Sequence, residues 1–288
     1  MIGIASALVI VLLFAYLGGA AYVASQAMNI PKLPVVGSPL VDYYEDVSFP
    51  SRGDGLTLRG WFMPGHSPGE PACVIIVTGG HQSRTDHVVG TLELSRDLVD
   101  RGYSVLLFDL RGRGESDGKG LALSYADSDI GGAVDYVRNR GYRTIYIIGF
   151  SSGGALSILS GVNVTAMVID SCFANVHEML VSQATAKGYP VAFIKLLAPG
   201  VFLMARLMYG YQAVNPEDVV GSVTCPIFFV HGKFDDDIPL SNSCRLYQAS
   251  ANPLDQIWIC PGADHCLTYR TSPDIYLEKV CQFMSETD

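Results

Sequence analysis

Between Thr144 and Ala155 the chain reads Thr-Ile-Tyr-Ile-Ile-Gly-Phe-Ser-Ser-Gly-Gly-Ala. A β-branched and aromatic run ends at Gly149, and a small-residue stretch follows Ser151. The pattern demands a strand, a sharp turn and a helix, with Ser151 at the turn in a Gly-x-Ser-x-Gly context. A turn this tight strains the backbone of its central residue, and small neighbours let strand and helix close on each other. The helix that starts there points free N–H groups at the same spot. A serine hydroxyl is a poor nucleophile near neutral pH and needs a base that is itself oriented by an acid. The rest of the chain can be searched for both.

The same punctuation recurs along the chain. Residues 73–77, 103–110, 166–170, 226–230 and 256–260 are apolar strand-like runs, and helical spacing fills 86–100, 127–140, 152–160, 240–251 and 272–284. Strands alternating with helices imply right-handed crossovers and an α/β fold, a mostly parallel sheet covered on both faces. Sites in such sheets gather at the C-terminal strand ends. Upstream, residues 41–49 and 56–63 flank Arg52-Gly53-Asp54-Gly55, the pattern of an antiparallel hairpin, so Arg-Gly-Asp reads as turn chemistry. Residues 64–71 read as a loop. With 288 residues, 49% of them hydrophobic, one large domain can bury a substantial core. A net charge of -9 without a lysine or arginine cluster argues against nucleic acid as a partner. Seven cysteines without a CxxC pair suit buried thiols better than a disulfide framework or a structural zinc site.

Residues 2–23 carry no charged side chain and could cross a hydrocarbon core of about 30 Å as a helix. We read 1–28 as an uncleaved N-terminal transmembrane anchor, with Tyr16 and Tyr22 near an interface. The competing reading is a cleaved signal peptide, for which Gly18-Gly19-Ala20-Ala21 and Ala24 offer small residues. Against it, no Lys or Arg precedes the run, which also exceeds the roughly 7–15 residues of a signal's apolar core. Lys32 follows the span and nothing basic but the amino terminus precedes it, which favours a cytoplasmic domain. Residues 29–40, with Pro31, Pro34, Gly37 and Pro39, read as a stiff linker to a domain over 41–288.

One segment, about 172–224, breaks the alternation. It holds two apolar runs, 191–197 and 201–209, separated by Pro199-Gly200, and the expectation is two short helices. Lys195 and Arg206 argue against a second membrane crossing. An insertion placed over strand ends reads as a cap. Its apolar faces either pack on the domain alone or also line an apolar substrate pocket; periodicity does not separate the two.

Two strand ends supply the partners Ser151 needs. One strand runs into His231-Gly232-Lys233-Phe234-Asp235-Asp236-Asp237-Ile238-Pro239, the last into Cys260-Pro261-Gly262-Ala263-Asp264-His265. A carboxylate on the first loop stands where it can orient a histidine on the second. From about residue 43 onward, the serine turn, the His-Gly-x-x-Asp-x-x-x-Pro loop and the Gly-x-x-His loop together resemble the α/β-hydrolase fold family, in the order Ser, Asp, His. The resemblance implies Ser151 as nucleophile, Asp235 as acid and His265 as base. Family spacing selects Asp235 over Asp236 and Asp237. Asp170, which also ends a strand, is the rival position for the acid; its bland role is a strand-end hydrogen bond. His231 is structural at this position in the family.

The family's oxyanion hole implies two backbone donors: the N–H of Ser152, whose side chain reads as a bystander, and the N–H of Gly80. Gly80 lies in Val77-Thr78-Gly79-Gly80-His81-Gln82, where Thr78-Gly79 replaces the frequent His-Gly and His81 reads as a solvated loop residue. Asp109-Leu110-Arg111-Gly112-Arg113-Gly114-Glu115-Ser116 looks like a second fingerprint of the fold, architectural in role. It lacks the context of a dinucleotide site, so no cofactor and no metal are implied. The resemblance is closest to membrane-associated esterases, lipases and acyl thioesterases, which implies hydrolysis of a small-molecule or lipid-like ester. A serine peptidase of the prolyl-oligopeptidase or aminopeptidase type is the enzymatic alternative. A membrane-tethered binding protein that keeps the fold without the chemistry is the alternative of another class.

Overall fold

The computed structural model describes residues 2–66 and 71–287, so part of the loop expected over 64–71 lies outside the described residues. The chain opens with α1 (Ile2–Met28), β1 (Asn29–Ile30), β2 (Glu45–Pro50), β3 (Thr57–Met63) and β4 (Ala72–Val77). It continues through α2 (Thr91–Val99), β5 (Ser104–Phe108), β6 (Gly120–Leu121), α3 (Ala126–Asn139), β7 (Thr144–Phe150), α4 (Ser152–Leu159) and β8 (Ala166–Asp170). It closes with α5 (Val176–Ala186), α6 (Val191–Tyr209), α7 (Pro216–Val219), β9 (Ile227–Gly232), α8 (Ser241–Ala249), β10 (Gln256–Cys260), α9 (Thr268–Thr271) and α10 (Pro273–Glu286).

Eight strands form the central sheet in the order β10-β9-β8-β7-β4-β5-β3-β2. β3 runs antiparallel to both β2 and β5, and the remaining neighbours are parallel. The strands are apolar without a break because helices cover both faces. Cys73, Ile75 and Val77 of β4 face the core under α3 and α4, with Ile130, Val134, Ala155 and Leu156. Val74 and Ile76 face the other core, with Leu94 and Leu98 of α2 and Val280 and Phe283 of α10. Each such side chain contributes about 1.5–3 kcal/mol on burial, and the two cores hold the strand ends in fixed relation. All seven cysteines are free thiols.

Helix α2 starts five residues later than its periodicity suggests. The Asp86 carboxylate instead accepts from the N–H groups of Val88 (2.9 Å) and Val89 (3.2 Å), and Gly90 at φ +80° turns the chain into the helix. The charges of Arg-Gly-Asp are spent inside the fold: Arg52 pairs with Asp135 and Asp54 with Arg111, both at 2.7 Å.

The cap departs from expectation. Residues 191–209 form one helix, not two, and Pro199 lies inside it. Proline removes a donor from the helical ladder, and a break is avoided where a neighbour repairs the gap. The donor lost at Pro199 would have served the Lys195 carbonyl; on the adjoining rung the Tyr16 hydroxyl of α1 donates to the Leu196 carbonyl at 3.1 Å and accepts from the Gly200 N–H at 3.0 Å. Ahead of α6, Asn175 caps α5 by accepting from the N–H groups of His177 and Glu178.

α1 is not a free tether. Its second half buries Ala20, Ala24 and Met28 along one stripe, and Asn29 Nδ2 donates to the Tyr209 hydroxyl at 3.0 Å. β1 pairs antiparallel with β6, and the Ala122 N–H donates to the Met28 carbonyl at 3.1 Å. The stretch read as a spacer is laid along the domain. Lys32 Nζ donates to the Ser116 carbonyl and the Val36 N–H to Thr85 Oγ1, each at 2.9 Å.

Candidate active site

Ser151 is the single residue between β7 and α4, at φ +50° and ψ −119°. A serine rests there only when its surroundings over-determine it. Its N–H donates to the Asp170 carbonyl at 2.8 Å, so the parallel pairing of β7 with β8 carries through the turn. The flanking glycines have no room for a side chain. A Cβ on Gly149 would meet Gly154 Cα at 2.8 Å, and one on Gly153 would meet the Val77 carbonyl at 2.3 Å. A Cβ on Gly79 would meet the Phe150 carbonyl at 2.4 Å, so the loop after β4 presses directly against the turn.

The structure brings the three sequence-derived side chains together. His265 Nε2 lies 3.1 Å from Ser151 Oγ, and His265 Nδ1 lies 2.8 Å from Asp235 Oδ2. Asp235 is buried while Asp236 and Asp237 are exposed, which separates the three consecutive carboxylates. The other oxygen of Asp235 accepts from the Ile238 N–H at 2.7 Å, locking the carboxylate plane. His231 is buried on the same loop. Its Nδ1 contacts Ser243 Oγ at 2.7 Å and its Nε2 the Ile238 carbonyl at 2.8 Å, and Nε2 also lies 3.3 Å from Asp235 Oδ2. Burial holds the His231 pKa below its usual value, which keeps a neutral ring bracing the loop.

Burial works to depress the pKa of His265. The hydrogen bond to Asp235 and the charges of Asp235, Asp237 and Asp170 outweigh it, and the net shift is upward. Asp170, the rival carboxylate, is fully buried and is engaged by Ser171 Oγ at 3.0 Å and by the Thr268 hydroxyl. Burial pushes its pKa up to about 7, against the pull of those two hydroxyls and of His265. It tethers the ends of β8 and α9, and the imidazole nitrogens of His265 face Asp235 and Ser151 instead.

The Gly80 N–H donates to Ser152 Oγ at 2.7 Å. The Ser152 side chain, expected to be idle, is therefore the resting partner of that donor. Arg113, read as architectural, is buried beneath the same loop. Its Nη1 donates to the carbonyls of Thr78 (3.3 Å) and Gly79 (3.4 Å). In a planar amide the C=O and N–H point in opposite directions. Holding the Gly79 carbonyl toward Arg113 thus turns the Gly80 N–H toward the serine turn. Burial lowers the Arg113 pKa to about 10, with Asp129 and Asp109 opposing. Nothing in the Asp109–Ser116 stretch of sequence marks this role, because the partners are backbone carbonyls of another loop.

Two hollows flank Ser151. One, of about 200 Å³, is mainly apolar and runs from Gly80 and Ser151 between α5, α6 and α1. The other, of about 420 Å³, opens past His265 and is edged by Asp236, Asp237 and Asp264. His81 lies at the first of these and is exposed.

Comparison with known proteins bears on the fold. The chain is 27% identical over 238 residues to the Bacillus subtilis protein YqkD, covering 80% of this chain and 76% of that one. It is 24% identical over 201 residues to the lysophosphatidylserine lipase ABHD12 of Danio rerio, covering 66% of this chain and half of the relative. The Pyrococcus furiosus esterase Pf2001 superposes with a TM-score of 0.73 at 22% identity, over 90% of this chain and 98% of that one, and so shares the fold. A family model described as the alpha/beta hydrolase family matches residues 62–278. With a match over most of its length and a mostly parallel sheet of the matching kind, the chain belongs to the alpha/beta hydrolase family.

Proposed function

We propose that this protein is a serine hydrolase that cleaves carboxylic esters of apolar, lipid-like acyl groups through an acyl-enzyme. The observation that carries the reading is the continuous hydrogen-bonded line from Ser151 Oγ through His265 to buried Asp235. Ser151 attacks the ester carbonyl as His265 Nε2 takes its proton. Asp235 fixes the tautomer of the ring and stabilises the imidazolium. The N–H groups of Gly80 and Ser152 receive the tetrahedral oxyanion, and the Ser152 hydroxyl yields the Gly80 N–H to it. One such donor contributes about 3 kcal/mol to the transition state. His265 then protonates the leaving alcohol, and water attacks the acyl-enzyme by the reverse route.

We also propose that α1 stays attached as a membrane anchor. Among the described residues two helices, Ser6–Met28 and Val191–Tyr209, are long and apolar enough to cross a membrane. The packing of α1 against α6 and the pairing of β1 with β6 support retention, since cleavage would remove part of the folded domain. N-terminal sequencing of the mature protein tests this; a start near Ala24 would refute it.

A fluorophosphonate probe on the purified protein tests the chemistry. Labelling that is lost in Ser151→Ala, with faster turnover of p-nitrophenyl esters than of aminoacyl anilides, is expected. Equal ester hydrolysis by Ser151→Ala would overturn the assignment, and faster turnover of anilides would favour a peptidase.

A further inference from the structure

We infer that α1 is a wall of the substrate site as well as an anchor: its last two turns, with α5 and α6, enclose a subsite for the hydrocarbon chain of the acyl group. The inference rests on the ester-hydrolase reading and names the part of the protein that selects chain length.

The apolar hollow beside Ser151 is closed on one side by Ala24, Ala27 and Met28 of α1. Opposite them stand Met179 of α5 and Phe202 and Ala205 of α6. An acyl carbon placed at Ser151 Oγ, with its oxygen toward the Gly80 and Ser152 N–H groups, has this hollow as its apolar outlet. The other hollow is edged by carboxylates and suits the polar leaving group better than a hydrocarbon chain.

A flexible anchor could not shape a pocket, but α1 is held at three points. Tyr16 bridges Leu196 and Gly200 at the Pro199 step. Asn29, just past α1, binds Tyr209, and these two lie as far beyond Tyr16 and Leu196 as each other, so α1 and α6 lie side by side and run in the same direction. Met28 is tied to the domain through Ala122. Gly200 is shaped for this contact: a Cβ there would lie 2.7 Å from the Tyr16 hydroxyl. Buried Ala24 and Met28 share one apolar cluster with Ala205 and Tyr211, beside the hollow. Beyond the clamp, Leu8, Val9, Leu12 and Phe14 stand more than half exposed, an apolar continuation of the same helix. Ala27 is exposed and lines the hollow, so a larger side chain there has space to enter it.

Each methylene that enters an apolar subsite is worth about fourfold in kcat/KM. The test measures, for full-length protein in detergent micelles, the ratio of kcat/KM for p-nitrophenyl decanoate to that for p-nitrophenyl acetate. Ala27→Phe is expected to lower this ratio at least tenfold, and Ala27→Leu to lower it by a smaller factor. Leu12→Phe, on the half of α1 remote from the hollow, is expected to leave the ratio as in wild type. Should Ala27→Phe not be recovered folded, Ala27→Leu and Met28→Ala carry the test, the latter moving the ratio upward or toward longer chains. Ratios that stay at the wild-type value in the Ala27 and Met28 variants overturn the role of α1 and leave the hydrolase intact. Absence of ester turnover and of fluorophosphonate labelling in wild type overturns the hydrolase reading itself.

Discussion

Replacing Asp170 with asparagine separates the two carboxylates that could serve His265, and does so through stability as well as rate. The Asp170 carboxyl is fully buried with a pKa pushed up to about 7. In an unfolded chain an aspartate titrates near 3.9. Between those values the native protein holds a proton that the unfolded chain has released. Stability linked to this group is therefore complete below about pH 4 and falls as pH rises, levelling off above pH 7. About three pH units at about 1.4 kcal/mol each amount to about 4 kcal/mol. Asparagine is neutral throughout and can keep a donor and an acceptor toward Thr268 and Ser171. The difference in unfolding free energy between Asp170→Asn and wild type is thus expected to move by about 4 kcal/mol in favour of the variant from pH 4 to pH 8. Guanidinium unfolding in micelles, followed by the fluorescence of Trp61 and Trp258, measures it. Ester turnover at pH 8 is the second readout, expected within about fivefold of wild type because Asp235 orients the base. Parallel stability curves would refute the buried-proton argument. A loss of about ten-thousandfold in kcat, the size seen when an orienting carboxylate is neutralised, would make Asp170 the acid instead.

Asp235→Asn is expected to lower kcat by about ten-thousandfold while leaving the fold intact by circular dichroism. In wild type the acid limb of kcat/KM is expected to have its midpoint above the ordinary histidine value of about 6.5, because activity requires neutral His265 and its pKa is raised; a pH–rate profile with a midpoint below that value would count against the base. Gly153→Ala forces a methyl to within 2.3 Å of the Val77 carbonyl, and thermal unfolding is expected to show a loss of about 1–3 kcal/mol. Arg113→Met is expected to lower kcat about tenfold with little change in KM, through misdirection of the Gly80 N–H, and Arg113→Lys to restore part of it; an equal rise in KM alone would assign Arg113 to substrate binding.

What the sequence made legible was the part of the site carried by strand ends. Ser151 follows β7 directly, and Asp235 and His265 stand on short loops after β9 and β10, so their place in space comes from the sheet. Asp170 and Asp235 were both visible as strand-end carboxylates and both are buried, so the hydrogen bond of His265 to Asp235 is what tells them apart. The continuity of α6 was not legible, because Tyr16, which bridges the rung beside Pro199, stands 183 residues earlier by position. The docking of α1 was hidden for a different reason: a face that meets lipid and a face that meets another apolar helix have the same composition. Arg113 escaped notice since it binds carbonyl oxygens, which every residue has.

The clasp between Tyr16 and the Pro199 step also sets an order of assembly. The segment translated first cannot find its partner until the ribosome has added most of the chain, well past the serine turn. Until α6 has emerged, Tyr16 has neither the Leu196 carbonyl nor the Gly200 N–H to bind, and the cavity lacks a side. β9 and β10 follow α6 in the chain, so the hollow can gain this side before the central sheet has all of its strands. A disulfide between cysteines placed at 24 and 205 is expected once nascent chains are long enough to have released α6, and its absence from such chains would count against the early docking of α1 on α6.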